Sequence, residues 1–288
     1  MATTGFGGLP EEFCTEDNSA VAIIPAPYDG TSTWIKGADK GPSAILEASP
    51  QLEYYDIETG TEVYKRGIYT VPPIQMPKEP EEMVSAVKTT VLNQLKRDKF
   101  CVTLGGEHSI SVGAFQAHYE QFEEKHDSFC VLQLDAHADL RDTYLGSKYN
   151  HACVMARIKE VCPIVQVGIR SMDIAEKELM DEERCFYAHS LEPHNNDWDQ
   201  IINCLDQSVY ITLDLDVFDP SILPSTGTPE PGGLLWYQTL SLLKAVFKQK
   251  NVLGFDIVEL CPNPQNKASD FLAAKLIYKL LSYKFDID

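Results

Sequence analysis

Short apolar runs alternate with stretches of helical periodicity through most of this 288-residue chain. Runs of this length, bounded by Gly, Pro and charged residues, are typical of buried parallel strands. The stretches between them repeat apolar residues at the three- and four-residue spacing of a helix that covers a sheet. This alternation predicts an α/β fold with a mostly parallel sheet and helices on both faces, and it leaves open whether the sheet closes into a barrel.

The predicted elements follow from those patterns. Strands are expected at 20–24, 100–104, 129–134, 164–169, 209–213 and 252–258, and an irregular or hairpin segment at 52–70. Helices are expected at 42–49, 80–95, 109–118, 151–158, 173–181, 197–205, 237–248 and 267–281. Trp236 and Tyr237 are expected to face the core at the start of their helix. Residues 1–18 are expected to form a loose N-terminal arm of a single domain that spans 1–288.

Acidic and imidazole side chains follow four of the predicted strands, at the point where each strand ends. The run 129–134 is followed at alternate positions by Asp135, His137 and Asp139. Because ligands of parallel sheets bind beyond the carboxyl ends of the strands, such side chains are expected to converge. The full set is His108, Asp135, His137, Asp139, Asp214, Asp216 and Glu259. Each one alone has an ordinary explanation as a cap, a turn residue or a solvated charge, and only their coincidence favours a site.

All of these side chains except Glu259 are of metal-ligand type, which gives six ligands, four of them carboxylates. A single catalytic ion that keeps one position open for a substrate needs fewer. They suit two divalent ions that share bridging carboxylates at a separation of about 3.5–4 Å. Without cations, aspartates this close together raise one another's pKa. Oxygen-rich ligation with one imidazole per ion favours Mn²⁺ over Zn²⁺. The sequence therefore predicts two Mn²⁺ ions per subunit, which would lower the pKa of a shared water and supply a nucleophile near neutral pH.

Charge and cysteine content exclude other classes of function. The formal net charge of −19 repels nucleic acid and anionic membranes. On charge alone, it is equally consistent with a small cationic substrate and with acidity that only keeps the protein soluble. No run is long enough and apolar enough for a membrane span, and residues 1–10 lack the features of a secretory signal. Eight cysteines without paired spacing are typical of reduced thiols, so a cytoplasmic location is expected.

Three motifs resemble those of the ureohydrolase family, to which arginases and agmatinases belong. They are Gly-Gly-Glu-His-Ser at 105–109, Asp-Ala-His-Ala-Asp at 135–139, and Asp-Leu-Asp-Val-Phe-Asp-Pro-Ser at 214–221. Stretches at 28–31, 227–233 and 256–262 are also similar to the family, so the resemblance extends from about residue 20 to the end. It implies a three-layer, arginase-like sheet of about eight strands and a homo-oligomer, trimeric or hexameric.

The resemblance also implies a role for each matched residue. One Mn²⁺ ion would be held by His108, Asp135, Asp139 and Asp214, and the other by Asp135, His137, Asp214 and Asp216. His151 would move protons together with Asp139, and Glu259 would receive a guanidinium group through bidentate hydrogen bonds. The implied reaction is the hydrolysis of a guanidino substrate to urea and an amine.

Within the family, agmatine is the expected substrate, with putrescine and urea as products. The segment 140–150 differs from the arginase segment that holds the α-groups of an amino acid. Arg141 is expected to pair with Asp142 or to face another subunit, unless it binds the carboxylate of a guanidino acid. Guanidinobutyrate, arginine and formiminoglutamate are alternative substrates, and a non-catalytic metal-binding relative is a further alternative. Glu107 stands where many family members have Asp, and its longer side chain is expected to shift His108.

Overall fold

Eight strands form one sheet in the part of the chain that the structure describes. The structure is a computed structural model, and it describes residues 5–123, 128–191 and 198–286. The strands are β1 (Val21–Ala26), β2 (Ile68–Thr70), β3 (Phe100–Gly105), β4 (Phe129–Leu134), β5 (Ile164–Ile169), β6 (Cys185–Tyr187), β7 (Ser208–Asp214) and β8 (Asn251–Val258). They lie in the order β2-β1-β3-β8-β7-β4-β5-β6, and every pairing is parallel. The predicted sheet is confirmed, and it is open, since β2 and β6 lie at its edges.

The sequence patterns do not predict the two edge strands. β2 lies at the end of the segment 52–70 that was expected to be irregular or a hairpin, and it pairs in parallel with β1. Within this segment the structure has a single antiparallel bridge, between Asp56 and Thr61, and this is the one part that resembles the expected hairpin. Strands of three residues have too few positions to show an alternation, and their half-exposed side chains resemble those of a loop. Pairing with a neighbouring strand defines them, and for β2 that neighbour is β1, which is distant in sequence.

Helices cover both faces of the sheet. They are α1 (Gly41–Ala48), α2 (Pro80–Leu95), α3 (Ile110–Glu123), α4 (Val154–Lys159), α5 (Ile174–Lys177), α6 (Asp199–Cys204), α7 (Trp236–Gln249) and α8 (Ala268–Asp286). Residues of α1, α6, α7 and α8 pack in one core, and residues of α2, α3 and α4 in the other. Alternate residues of β1 enter the two cores, Val21 and Ile23 the first, Ala22 and Ile24 the second. The predicted three-layer arrangement is therefore confirmed.

The N-terminal residues are packed more closely than the sequence suggested. Residues 1–4 lie outside the described part, but the side chain of Phe6 is 1% exposed. The Phe6 N–H donates to Thr70 Oγ1 at 2.8 Å, and the Gly7 N–H donates to Ser49 Oγ at 2.8 Å. The prediction of a loose arm is wrong at this point, because a single aromatic residue among Gly and Thr fills a gap in the core beside β2. A single domain over 1–288 stays a prediction, with which the single sheet agrees. Among the described residues, no helix is both long and apolar enough to cross a membrane.

The start of α7 differs from the expectation for one of its two aromatic residues. Trp236 is partly buried and packs against the core, whereas Tyr237 is 81% exposed. The helix buries Leu240 and Leu243, which lie one and two turns after Trp236. Tyr237 is offset from that face by about 100°. The prediction that Tyr237 faces the core is therefore wrong.

Candidate metal centre and active site

The four central strands of the sheet carry the candidate site at their carboxyl ends. β3, β8, β7 and β4 are consecutive neighbours in the sheet, although they are far apart in sequence. His108 follows β3, Glu259 follows β8, Asp214 is the last residue of β7, and Asp135 follows β4. Parallel strands all end at one edge, so the side chains expected to converge are brought together there.

His108 lies among three carboxylates. Its Nδ1 atom is 3.0 Å from Asp139 Oδ2, 3.1 Å from Asp135 Oδ2 and 3.5 Å from Asp214 Oδ2. All four side chains are buried. Nδ1 nevertheless has no hydrogen-bond partner, although buried polar atoms ordinarily find one. An imidazole nitrogen that faces carboxylate oxygens without hydrogen-bonding to them fits the ligand set of a metal ion.

A second group of ligands shares Asp135 with the first. His137 Nδ1 is 3.0 Å from Asp216 Oδ2 and 3.6 Å from Asp135 Oδ1. Candidate ligand atoms of His108, Asp135 and Asp214 lie within 4.8 Å of one another, and so do those of Asp135, His137 and Asp216. Asp135 thus belongs to both groups, as a bridging residue would. Asp214, for which the resemblance also implies a bridging role, belongs to the first group only. Asp139, an implied ligand of the first ion, belongs to neither group, although its Oδ2 lies 3.0 Å from His108 Nδ1.

The carboxylates of this cluster repel one another. Burial, followed by the charges of Asp216 and Asp135, raises the pKa of Asp214 well above its usual range. Burial and the charge of Asp135 raise the pKa of Asp139 to about 7. For His137, burial lowers the pKa, but Asp216 and Asp135 outweigh that effect and raise it to about 12. Divalent ions between these groups would offset the repulsion, which is why the donor set fits a pair of ions.

Two of the candidate site residues have backbone conformations that are costly for residues other than glycine. The φ angle is 54° at Asp139 and 65° at Glu259. The Asp139 carbonyl accepts the N–H groups of Met155 and Ala156 at the start of α4, at 3.0 and 3.2 Å. The Glu259 N–H donates to the Gly106 carbonyl at 2.8 Å. Such conformations persist where the surrounding structure holds them, and they concentrate at functional sites.

Glycine is required beside this site. The Gly106 N–H donates to the Ala26 carbonyl at 3.0 Å, which brings the turn after β3 against the end of β1. A Cβ atom at position 106 would lie 1.9 Å from the Tyr28 carbonyl oxygen. The following residue, Glu107, is buried and accepts the N–H and O–H groups of Ser109 at 3.0 and 2.7 Å. Its longer side chain therefore contacts Ser109, and Nδ1 of His108 still faces the carboxylates.

Glu259 and His151 both line the cleft next to the ligand groups. Glu259 Oε1 accepts the His108 backbone N–H at 2.7 Å. The same oxygen has a second lone pair, which is free to accept a hydrogen bond from a substrate. His151 is held by Thr31, whose Oγ1 lies 3.1 Å from His151 Nδ1 and accepts the His151 N–H at 3.0 Å. Burial, followed by the charges of His108 and His137, lowers the pKa of His151 to about 4. An imidazole nitrogen that carries no proton can accept one.

The cleft has a volume of about 320 Å³, and Arg141 lies in its wall. The Arg141 guanidinium is 3.4 Å from Asp173 Oδ2 and 3.6 Å from Glu176 Oε2. Asp142, one expected partner of Arg141, instead binds Arg157 at 2.6 Å, so that expectation is wrong. Glu176 accepts the Leu140 N–H at 2.9 Å and so holds the backbone next to Arg141 against α5. The Arg141 side chain therefore lies beside the acidic residues of α5 and its N-terminal end.

Sequence reasoning missed several polar residues that support the ligands. Gln133 Nε2 donates to Asp135 Oδ2 at 2.8 Å, and Gln166 Nε2 donates to Gln133 Oε1 at 2.6 Å. Arg170 donates to the carbonyls of Asp216 and Glu230 at 2.6 and 2.8 Å and fixes the loop after β7. A signal was present for the two glutamines, since each one interrupts an apolar strand where a buried polar side chain needs a partner.

The chain is similar to known proteins along most of its length. Residues 19–282 match the model of the arginase family. The chain belongs to this family. A protein of Synechocystis sp. named N(1)-aminopropylagmatine ureohydrolase is 40% identical over 277 residues, which are 92% of this chain and 89% of that protein. An agmatinase of Pyrococcus horikoshii is 32% identical over 262 residues, 90% of each chain. The crystal structure of agmatine ureohydrolase of Thermoplasma volcanium aligns with a TM-score of 0.82 at 29% identity, and covers 94% of this chain and 91% of that one.

Family membership confirms the resemblance seen in the sequence and the arginase-like fold. The chain is a hydrolase of the arginase family, as predicted. Its candidate ligand groups lie where two metal ions could be held.

Proposed function

We propose that this arginase-family hydrolase cleaves the terminal guanidino group of agmatine, or of a closely related amine, to urea and an amine. The observation that carries the proposal is the pair of ligand groups joined by Asp135, next to a cleft into which Glu259 projects. A guanidinium carbon is a poor electrophile because its charge is delocalised. Its hydrolysis therefore needs a strong nucleophile and a carboxylate that orients the group, and this site has candidates for both functions.

The proposed metal pair is two Mn²⁺ ions, with the ligands that the family resemblance implies. The ligand atoms include one imidazole for each group, and the other ligands are carboxylate oxygens, which suits Mn²⁺ better than Zn²⁺. When bound, the ions supply a nucleophile by lowering the pKa of water. Glu259 is proposed to orient the guanidinium plane by hydrogen bonds to its N–H groups. Neutral His151 and Asp139 are proposed to move the proton that the leaving amine requires.

The outer part of the cleft supports a cationic substrate tail. Arg141 is paired there with Asp173 and Glu176, so two carboxylates face one guanidinium. The Asp173 side chain is 42% exposed and can contact a ligand, whereas both Glu176 oxygens accept backbone N–H groups. A carboxylate tail would meet the negative charge of Asp173, which disfavours guanidinobutyrate and arginine. A second candidate substrate is N(1)-aminopropylagmatine, which the name of the 40% identical relative favours, and whose added amino group gives the tail more positive charge.

Urea release from the Mn²⁺-loaded protein tests the proposal. Agmatine, N(1)-aminopropylagmatine, arginine and guanidinobutyrate would be compared side by side, with the metal-stripped protein as the control. We expect one of the two amines to have a kcat/KM at least about tenfold higher than either guanidino acid, because one favourable charge contact contributes about 1.4 kcal/mol or more. A guanidino acid as the best substrate would contradict the amine proposal and identify Arg141 as a carboxylate ligand. No urea from any of them, with two ions bound, would favour a non-catalytic relative.

We also propose that the protein is a homo-oligomer, and that a second copy binds at an apolar surface formed by Tyr55, Ile57, Tyr237 and Phe271. These side chains are exposed around a groove of about 990 Å³ between the segment after α1 and helices α7 and α8. Ile57 is 89% exposed, and an exposed apolar patch made of several such side chains is typical of an interaction surface. The groove includes three acidic residues, Glu53, Asp56 and Glu58, and three basic ones, Lys244, Lys275 and Lys279. Such a balance, in a chain of net charge −19, lets two copies approach without repulsion.

Light scattering after gel filtration would measure the assembly. We expect the parent protein to be oligomeric and the double variant Ile57→Glu, Tyr237→Glu to dissociate, because each carboxylate would be buried without a partner. Val161→Glu changes a half-exposed apolar residue outside this surface and is the control. A monomeric parent, or a double variant of unchanged mass, would contradict the proposal. The cytoplasmic location stays a prediction, with which the free thiols of all eight cysteines agree.

A further inference from the structure

A line of buried polar side chains connects the metal ligand His108 to the interior of the sheet. His108 Nε2 is 2.9 Å from Thr212 Oγ1, and Thr212 Oγ1 is 2.7 Å from Asp256 Oδ1. Asp256 Oδ2 accepts the Tyr210 O–H at 2.6 Å. Thr212 and Asp256 are register partners on β7 and β8, so the sheet itself holds them side by side. All of these side chains are at most 1% exposed.

An aspartate at this position is not explained by packing. Burying a carboxylate in a sheet is costly unless hydrogen bonds and charge compensate it. The hydroxyls of Tyr210, Thr212 and Ser111 supply hydrogen bonds to Asp256. Asp256 does not line the cleft, and it is absent from both ligand groups. Apart from its contact with Ser111, Asp256 is connected to the ligand groups through Thr212 and His108.

The position of each proton along this line follows from the donor inventory. A carboxylate has acceptors only, so the hydroxyls of Thr212 and Tyr210 both donate to Asp256. Thr212 Oγ1 also lies 3.3 Å from Ser111 Oγ, but its shortest contact is the one to Asp256 at 2.7 Å. With its single proton directed at Asp256, Thr212 Oγ1 offers His108 a lone pair. His108 Nε2 must therefore carry the proton, and Nδ1 keeps the lone pair that a metal requires. This is the nitrogen that faces Asp135, Asp139 and Asp214.

We infer that Asp256 is a positioning residue, which acts through Thr212 to fix the tautomer and the orientation of His108 and so strengthens one of the two metal sites. The inference rests on the metal pair proposed above but not on the identity of the substrate. His137, the imidazole of the other group, is 27% exposed and projects toward the cleft. The effect of Asp256 is thus specific to the ion that His108 binds.

Metal affinity and stoichiometry, measured by chelator competition and elemental analysis, test this inference. In Asp256→Asn the amide can donate to Thr212, which would turn the hydroxyl proton toward Nε2 and favour the wrong tautomer. Thr212→Val removes the hydroxyl with little change of shape. We expect each variant to bind one of the two Mn²⁺ ions about 10- to 100-fold more weakly, the usual effect of losing such a supporting contact. The electron paramagnetic resonance signal of a coupled pair should then give way to that of a single ion at limiting metal.

The chain offers a matched control and a rescue variant. Thr103 lies on β3, pairs in register with Asp256, and is fully buried, but its hydroxyl has no hydrogen-bond partner. Thr103→Val removes a buried hydroxyl from the same sheet and should leave both affinities within about twofold of the parent. Thr212→Ser keeps the hydroxyl and should restore tight binding, which separates this role from a general loss of folding. Two equally tight ions in Asp256→Asn and Thr212→Val would overturn the inference, whereas fewer than two ions in the parent protein would overturn the metal pair and this inference with it.

Discussion

Asp139→Asn is expected to lose the ion that His108 binds and to reduce urea release by about a hundredfold or more, the range seen when one group that stabilises a transition state is removed. Asp139 Oδ2 is 3.0 Å from His108 Nδ1, and the side chain is 6% exposed. Asparagine has nearly the same shape but no charge, and its NH2 group cannot bind a cation. Because the φ angle of 54° suits Asn as well as Asp, the backbone should not change.

The measurement for Asp139→Asn is the number of bound Mn²⁺ ions together with kcat for the best substrate. Asp142→Asn is the control, because it removes the same charge three residues later, where the side chain is exposed and binds Arg157 and Lys148. A surface pair of this kind contributes about 0–1 kcal/mol, so metal content and activity should be those of the parent. Full metal content with full activity in Asp139→Asn would show that the two-ion assignment is wrong.

Glu259→Gln is expected to leave both ions bound while kcat/KM falls by about tenfold to a hundredfold, which corresponds to the 1.5–3 kcal/mol of a hydrogen bond to a charged group. Glu259 Oε1 accepts the His108 N–H at 2.7 Å, and the glutamine oxygen can keep that contact. The amide removes the negative charge and one of the two acceptors that a guanidinium fork requires. The effect should therefore appear in substrate binding and not in metal content.

The control for Glu259→Gln is Glu107→Gln. Glu107 is also fully buried, and its charge acts on Glu259, but its oxygens contact Ser109 and it does not line the cleft. A much smaller change in kcat/KM is expected there, since the substrate does not reach this side chain. If Glu259→Gln binds substrate as the parent does, or if both variants lose the same activity, the role proposed for Glu259 in holding the guanidinium is wrong.

The position of the site could be predicted because it depends on a property of every parallel sheet. Strands that run in one direction end at one edge of the sheet. Once the strand ends were assigned correctly, this property was enough to group His108, Asp135, Asp214 and Glu259. The structure brings all of these side chains to adjacent strands. Residue spacing alone did not give the geometry, since β4 ends at Leu134 and the chain bends before Asp139.

Contacts between segments far apart in the chain were less predictable. Arg141 was expected beside Asp142 because the two are adjacent in sequence, but α5 supplies its partners Asp173 and Glu176. The link from Asp256 to His108 crosses two strands and a loop, and it depends on the pairing of β7 with β8. Nothing local in the sequence specifies which strands are neighbours.

The class of fold, the direction of the strands and the set of metal-type ligands were all predictable from the amino-acid sequence, because they follow from local periodicity and from the residues at strand ends. The strand order, the sharing of Asp135 between two ligand groups and the partners that orient His108 and Arg141 became known from the folded structure. Periodicity reports which face of an element is buried, whereas ligand geometry and proton positions depend on distances of about 3 Å between residues that only folding brings together.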